Sequence, residues 1–507
     1  MIKESELGLK DTIFLLLDSN SDGKLSEYLQ EQSNNNIYIP IWEYFDDSNN
    51  SILSKIIFND LNNDFEYVFN YIKTNINDQK KFTDYINNKN KLGYSSIFYA
   101  SYKGNIKVIS KLIKFNANFR DVSKKGLNVL HLAAQGNKTN SLVYFKEKYN
   151  FDIESKDDSF STALHWACYF GSKNVVEFLL SWNANVNIQD KNGNTPLHLA
   201  ILSKNEKIIK KLLRNGANPK IKNNNGEIPL DLAKNLKNKK IINILTGKTY
   251  CFKCIIIQTP TKKIEKSILN IIYFFIIYFI QILGFLIFLL PIINEIDFYI
   301  FINSIFIVFL IYFILLCKNS KFNPIDYQNE TNLLKIVENG ENINDYCPKC
   351  LIKKKKFTVH CFICDVCIEH FDHHCYWINK CVGEKNYKIF ILFLVVNLIA
   401  IIFYLYLDFI YVQKDYDLND IKIIDKIKFL KIIYEKNYIK IVYFCVNIFL
   451  CLLFGIFLLM LIFIQFKNFV HNLKLYKKND NNNNIDFEDE ENTKRLLNDE
   501  NENECNL

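Results

Sequence analysis

The chain has 507 residues, too many for one domain, with a net charge of +8 and hydrophobic residues at 49%. So small a charge over this length does not suggest a nucleic-acid partner, and the uneven spread of apolar residues excludes a single soluble domain. Asn, Ile and Lys are overused throughout, which reads as a genome bias more than as function.

Residues 1–60 form an N-terminal helical segment. Asp18, Asn20, Asp22, Gly23, Leu25 and Ser26 fit the first nine positions of a calcium loop behind an apolar helix containing Phe14. The twelfth position, where a bidentate Glu belongs, is Leu29. The expectation is a degenerate, calcium-loop-like turn, and the plainer alternative is a polar turn between two helices.

Residues 61–250 hold an internal repeat. Segments starting at Ser95, Asn128, Thr162, Thr195 and Ile228 align at spacings of 33, 34, 33 and 33 residues, as in Thr195-Pro-Leu-His-Leu-Ala200. The first four are each followed by a second apolar helix pattern, such as 174–180, and a turn such as 183–187. This resembles ankyrin repeats, paired helices that stack into a solenoid and bind proteins on a concave face. Residues 53–90 are expected to hold one or two degenerate capping repeats. His131, His165 and His198 recur at the repeat spacing and are expected to hydrogen-bond within the turns, not to act as ligands. Trp166 is either an interface anchor or packed core.

Four apolar stretches, 268–290, 298–317, 389–407 and 439–464, carry no charge apart from Lys440 at the edge of the last, and each suffices to span a bilayer as a helix of about 20 residues. They group as transmembrane helices 1–2 within 268–317 and 3–4 within 389–466. The connection 291–297 has no Lys or Arg, whereas 318–388 has eleven and Lys262, Lys263 and Lys266 precede the first span. The positive-inside rule therefore puts both termini, the repeats and 318–388 in the cytosol, a reading that lysines in 412–438 weaken slightly. Cys251 and Cys254 are juxtamembrane candidates for lipidation or two inert thiols. Residues 467–507 are a cytosolic tail, expected to be disordered where Asn, Asp and Glu dominate from 479 onward.

The chemistry concentrates in 347–390, which holds seven of the fourteen cysteines and four of the eight histidines. The order is Cys347-x2-Cys350, His360-Cys361-x2-Cys364-x2-Cys367, Asp372-His373-His374-Cys375 and Cys381. Such spacing is that of zinc ligands, and no secretory signal is read ahead of the first soluble part, so zinc is favoured over disulfides. The count suggests two tetrahedral sites of three sulfurs and one nitrogen, using six Cys and two His. Cys375 is then left over beside His373 and Asp372. That is the constellation of a nucleophilic thiol, with His373 as base and Asp372 as its orienter.

The Cys/His ladder, the Asp372–Cys375 tetrad, Trp377, Cys381-Val382-Gly383 and Asn386 resemble the cysteine-rich domain of the DHHC protein S-acyltransferases. The repeats narrow the resemblance to the ankyrin-bearing branch of that family, over roughly 60–475. It implies a mainly all-α protein: an ankyrin-repeat solenoid, then four transmembrane helices with a small zinc-binding domain inserted at 318–388. It implies transfer of a palmitoyl group from palmitoyl-CoA to cysteines of substrate proteins through a Cys375 acyl-enzyme, the repeats recruiting those substrates. One structural zinc would be held by Cys347, Cys350, His360 and Cys367. The other would be held by Cys361, Cys364, His374 and Cys381. An endomembrane, with Golgi favoured, is the family's usual location.

The sequence departs from the family pattern in four places: Tyr376 for Pro, Phe357 for Arg, Asn323-Pro324-Ile325 for Asp-Pro-Gly, and no Thr-Thr-x-Glu near 466–473. Lys353–Lys356 is expected to meet CoA phosphates or anionic lipid headgroups, the alternative being a solvated loop face, and His370 matches no ligand position. The alternatives are an inactive ankyrin-tethered scaffold with structural zinc, which has no reason to keep the spare thiol, and a cation channel, which needs more spans.

Overall fold

The computed structural model describes residues 2–246 apart from two single positions, a few positions between 272 and 283, and 295–317. It further describes 332–415, with short gaps at 356–357, 362, 376–377, 379 and 384, and 448–463 apart from 450 and 457. Two compact units result, the first built from 1–250 and 323–354, the second chiefly from 265–322 and 355–507.

In the first unit, α1 (Ile2–Asp18), α2 (Lys24–Asn34), α3 (Ile52–Phe58), α4 (Asn62–Asn75) and α5 (Gln79–Ile86) precede five helix pairs. The pairs are α6 (Ser96–Lys103) with α7 (Ile106–Lys114), α8 (Val129–Gln135) with α9 (Thr139–Tyr149), and α10 (Ala163–Phe170) with α11 (Lys173–Ser181). Next come α12 (Pro196–Leu202) with α13 (Glu206–Arg214), and α14 (Pro229–Asn235) with α15 (Lys239–Thr246). Each first helix starts one residue after an aligned segment begins, so the five predicted repeats are five helix pairs. One buried cluster, including Phe98, Leu130, Ala167 and Leu197, runs through them.

The turn between α1 and α2 does not leave its carboxylates open for a cation. Asp22 accepts the N–H groups of Asn63 and Asp64 at 3.0 and 3.2 Å, while Asp64 accepts those of Gly23 and Ser26 at 3.0 and 2.8 Å. Each side chain thus caps the other's helix, satisfying backbone donors that the helices leave unpaired. Asp18 pairs with Lys55 at 2.9 Å, and Leu29, at the position a calcium loop gives to Glu, is core at 1% exposure.

The repeat histidines behave as expected. Nδ1 of His131, His165 and His198 accepts the N–H of Asn128, Thr162 and Thr195, each at 3.1 Å. The remaining ring proton therefore lies on Nε2, which meets a carbonyl of the following repeat: Ser161, Asn194 and Glu227 at 3.2–3.3 Å. The turn tips add a ladder between repeats, as where Lys191 N–H reaches the Ser159 carbonyl at 2.8 Å. Gly193 in that ladder has φ 74°, and a Cβ there would stand 2.7 Å from the Asn224 nitrogen, so a side chain is excluded.

Residues 332–354 also belong to this unit, as a strap: α17 (Leu333–Glu338), a turn at Ile343–Asp345, and the Cys347–Cys350 loop. The predicted cysteine-rich segment 318–388 is therefore divided between the units.

In the second unit, α16 (Glu295–Cys317) packs along α18 (Tyr387–Asp415), with Phe301 against Tyr404 at 5.6 Å and Tyr312 against Phe393 at 5.7 Å. Two antiparallel hairpins precede α18: β1 (Val359–Cys361) with β2 (Val366–Ile368), and β3 (His373–Cys375) with β4 (Lys380–Val382). Among the described residues one helix, Tyr387–Ile410, is long and apolar enough to cross a bilayer, and Ile300–Leu316 and Cys451–Phe463 are shorter apolar helices. Phe306, Phe313, Ile399 and Phe409 on α16 and α18 are all more than half-exposed, which is costly against water and suits lipid. The expected span at 268–290 lies largely outside the described residues, that at 439–464 does so up to 447, and the Cys251/Cys254 pair and the tail at 467–507 do so wholly.

Burial pushes the three repeat histidines below their ordinary value of 6.5. The unfolded ring takes up a proton that the buried ring refuses, so their contribution is fully present above about pH 6.5 and is lost as pH falls below it. Hydrogen exchange in α8, α10 and α12, corrected for intrinsic rate, is expected to accelerate on acidification from about pH 7.5 to about pH 5.5. The measurement is exchange mass spectrometry on the full chain. A Gln at 165 should flatten that response for its own repeat.

Candidate metal centre and active cysteine

The two hairpins place one histidine opposite one cysteine each: His360 faces Cys367 across β1/β2, and His374 faces Cys381 across β3/β4. Successive strand residues point to opposite faces. His360 and Cys361 therefore diverge, and Cys361 leaves its own hairpin's pair to join the other one. Its sulfur lies 3.8 Å from His374 Nδ1, with Cys364 and Cys381 at 3.4 and 3.6 Å from the same nitrogen. All four ligand atoms fall within 4.8 Å of one another. A zinc ion at its usual distances from sulfur and nitrogen sets sulfur–nitrogen edges of about 3.5 Å, so this donor set fits that ion. The interleaving that the resemblance implied has a local cause in strand alternation.

The other expected ligands lie in two places. His360 Nδ1 and the Cys367 sulfur are 3.9 Å apart in the second unit, and Asp365 sits 3.3 Å from His360 Nε2, a carboxylate behind an imidazole as metal sites use it. In the first unit, Cys347 and Cys350 form a tight loop in which the Cys350 N–H points at the Cys347 sulfur at 3.4 Å.

The same alternation sorts the tetrad. On β3, His374 faces the metal cluster, while His373 and Cys375, two residues apart, share the other face. Cys375 is 5% exposed and belongs to a core with Tyr312, Val308, Phe390 and Phe393 of α16 and α18. Asp372 Oδ2 lies 3.0 Å from His373 Nδ1, and the ring packs edge-on to Phe390 at 5.4 Å. Burial alone would depress the imidazole, but the Asp372 and Cys375 interactions outweigh it and raise the ring to about 10. An imidazolium held beside a thiol favours the thiolate. Asp372, His373 and Cys375 are thus brought together, and Cys375 stays out of the metal cluster.

Three supports lie around the site. Asn386 is fully buried; it accepts the Gly383 N–H and donates to the Cys381 carbonyl, both at 2.9 Å, locking β4 onto the start of α18. Gly383 is needed there, since a Cβ would come 2.6 Å from the Ile368 side chain. Lys380 Nζ donates to the Leu316 carbonyl and caps the end of α16. Asn386 was visible as a motif residue, whereas nothing in the sequence pointed to Lys380.

Among the described residues of the lysine run, 353–355, each ammonium has a partner. Lys353 pairs with Glu341 at 3.3 Å, Lys354 Nζ reaches the Asn344 carbonyl at 3.4 Å, and Lys355 pairs with Glu369 at 2.9 Å. Those short-range partners compete with the phosphate or headgroup contact expected of them. His370 takes a left-handed turn, φ 46°, between β2 and β3. Tyr376, Phe357, 323–325 and 466–473, where the chain departs from the family pattern, lie outside the described residues, as does Trp377.

In the repeats, Trp166 is half-buried and donates to Asp157 at 2.9 Å. It stacks on Phe170 at 5.9 Å, leaving Phe170, Tyr169 and Phe160 about half-exposed.

Comparison with known proteins gives the same two parts. Residues 340–482 match the DHHC palmitoyltransferase family, and 97–190, 130–223 and 183–254 each match ankyrin repeats. The chain is 38% identical over 79 residues to palmitoyltransferase ERF2 of Kluyveromyces lactis, covering 16% of this chain and 22% of the relative. It is 50% identical over 58 residues to palmitoyltransferase ZDHHC2 of Danio rerio, 11% and 16% of the two chains. It is 35% identical over 88 residues to palmitoyltransferase ZDHHC4 of Mus musculus, 17% and 25%. The chain thus spans at most a quarter of the length of these relatives.

Replacing Asn386 with Ala strands the Gly383 N–H and the Cys381 carbonyl in a buried site. The expected cost is about 1–3 kcal/mol. The check is a lower unfolding midpoint of the full chain.

Proposed function

From a chain with a DHHC palmitoyltransferase domain and ankyrin repeats, we propose a protein S-acyltransferase that moves a palmitoyl group from palmitoyl-CoA to substrate cysteines through an acyl-enzyme on Cys375. The observation that carries this reading is the shared face of β3: a thiol left out of the metal cluster, beside an imidazole that Asp372 orients. His373 takes the Cys375 proton and holds it as an imidazolium. The thiolate attacks the thioester carbonyl, and CoA leaves as its thiol on receiving that proton. A substrate thiol then gives its proton to the neutral His373, its thiolate attacks the acyl-Cys375 thioester, and Cys375 leaves as a thiolate that the imidazolium reprotonates. One thioester is exchanged for another at each step, so little driving force is needed. Asp372 stabilises the cation in between.

Two structural zinc ions are proposed, one on Cys347, Cys350, His360 and Cys367, the other on Cys361, Cys364, His374 and Cys381. When bound they hold the hairpins and take no part in the transfer. Four spans at 268–290, 298–317, 389–407 and 439–464 would keep the acyl chain out of water, at about 0.8 kcal/mol per CH2. The apolar neighbours of Cys375 on α16 and α18 support an acyl chain beside the thiol. A cytosolic face for the repeats and the active thiol, and an endomembrane such as the Golgi, follow from the charge pattern and the family. The partners would be proteins with acceptor cysteines, recruited by the repeats, with Phe160, Tyr169 and Phe170 beside Trp166 as the exposed aromatic contact.

The test is autoacylation of the detergent-purified full chain with a clickable palmitoyl-CoA. The wild type should take a hydroxylamine-sensitive label that Cys375→Ser loses completely. His373→Ala should slow labelling by about 10²–10⁴-fold. A zinc-loaded wild type that takes no label would overturn the reading.

A further inference from the structure

The strap 332–346 is bound to one helix pair of the repeat array. Leu333, Ile336, Val337 and Ile343, none more than 6% exposed, belong to the same buried cluster as Leu142 and Tyr144 of α9. Polar contacts fix its register. The Asn140 side chain accepts the Ile343 N–H at 3.1 Å and donates to the Glu341 carbonyl at 3.2 Å. Thr139 Oγ1 meets the Asn344 side chain at 2.5 Å, and Lys148 pairs with Glu338 at 2.6 Å. The ion pair is more than one-third exposed at both ends and contributes little. The apolar side chains and Asn140 therefore carry the attachment.

The strap leads without a break into the first cysteine loop. Tyr346 is 6% exposed in the same core and donates to Glu341 at 2.7 Å. Cys347 follows it at once. The Cys347 N–H donates to the Ile352 carbonyl at 2.9 Å, the Leu351 N–H to the Cys347 carbonyl at 2.8 Å, and Leu351 packs on the array's core. A four-residue Cys-x2-Cys loop has few contacts of its own. Its backbone is set by what flanks it, and here the flanks on both sides are held by the repeat unit.

We propose that the repeat array is a structural part of the cysteine-rich domain: its second helix pair, through Asn140 and the α9 face, holds the strap and so keeps Cys347 and Cys350 in a metal-ready loop. The array then does more than recruit substrates. A partner that pulled the strap from α9 would loosen two of the metal ligands. The inference rests on the metal reading of Cys347 and Cys350, and acyl transfer does not enter it.

The test uses the zinc-loaded full chain in detergent, with hydrogen exchange and iodoacetamide alkylation read by mass spectrometry. Asn140→Ala is expected to raise exchange across 341–346 by about tenfold, from the loss of two hydrogen bonds. It should also speed alkylation of Cys347 and Cys350 several-fold while Cys361 and Cys381 keep their wild-type rates. Val337→Ala touches the array only from the strap and should do the same with α8–α11 fully protected, which guards against simple unfolding of the repeats. Wild-type alkylation of Cys347 and Cys350 in both variants would overturn the proposal, as would an equal rise at all four cysteines. Neither readout uses acyl-CoA, so a chain that never forms an acyl-enzyme can still pass, and an active one can still fail.

Discussion

The alternation of side chains along three residues of β3 is the constraint on which the rest of the site depends. His373 and Cys375 point one way and His374 the other. One strand therefore separates two candidate sites: a histidine of the metal-capable cluster on one face, the His373 imidazole and the Cys375 thiol on the other. Were the segment helical, neighbours in sequence would fan out around an axis and the thiol would lose its imidazole. β4 enforces the strand by pairing His374 with Cys381, so two residues of the metal-capable cluster also hold the register. The metal-capable cluster and the Cys375–His373 arrangement are coupled through a single hairpin.

The surroundings act on that hairpin from both ends. Asn386 ties the outgoing chain back to the Cys381 carbonyl before α18 begins. Lys380 ties β4 to the last carbonyls of α16. Phe390 packs on His373 and lies with Cys375 in one apolar core. In such a core a charged imidazole persists only because Asp372 and the thiol compensate for its lost hydration, which is the balance that lifts its proton affinity. The array achieves order by a simpler device, used in three of its five repeats: a buried neutral imidazole that closes its own helix cap and reaches the next repeat's carbonyl.

Some polar clusters that suggest ligands turn out to serve backbone needs. Asp22 resembles a cation ligand in sequence, yet it and Asp64 are used to cap each other's helices. Lys353, Lys354 and Lys355 look like an anion-binding run, yet each has a partner close in the chain or in the fold. Composition marks such residues as polar and cannot mark whether a backbone group has already claimed them.

The sequence by itself determined the repeats, because a period of about 33 residues with an invariant apolar pattern leaves one packing solution, and it determined the candidate metal and tetrad residues, because thiol and imidazole spacing is itself the chemical signal. It also marked the apolar runs by length alone. Only the tertiary structure decided that His373 and Cys375 share a face while His374 leaves it, since pairing of β3 with β4 depends on register. Only it decided that 332–354 belongs with the repeats: Asn140 and Ile343 are some two hundred positions apart, and no periodicity connects them. Local patterns survive in a sequence because neighbouring residues create them. Contacts between distant segments depend on which surfaces remain uncovered once the local structure has formed.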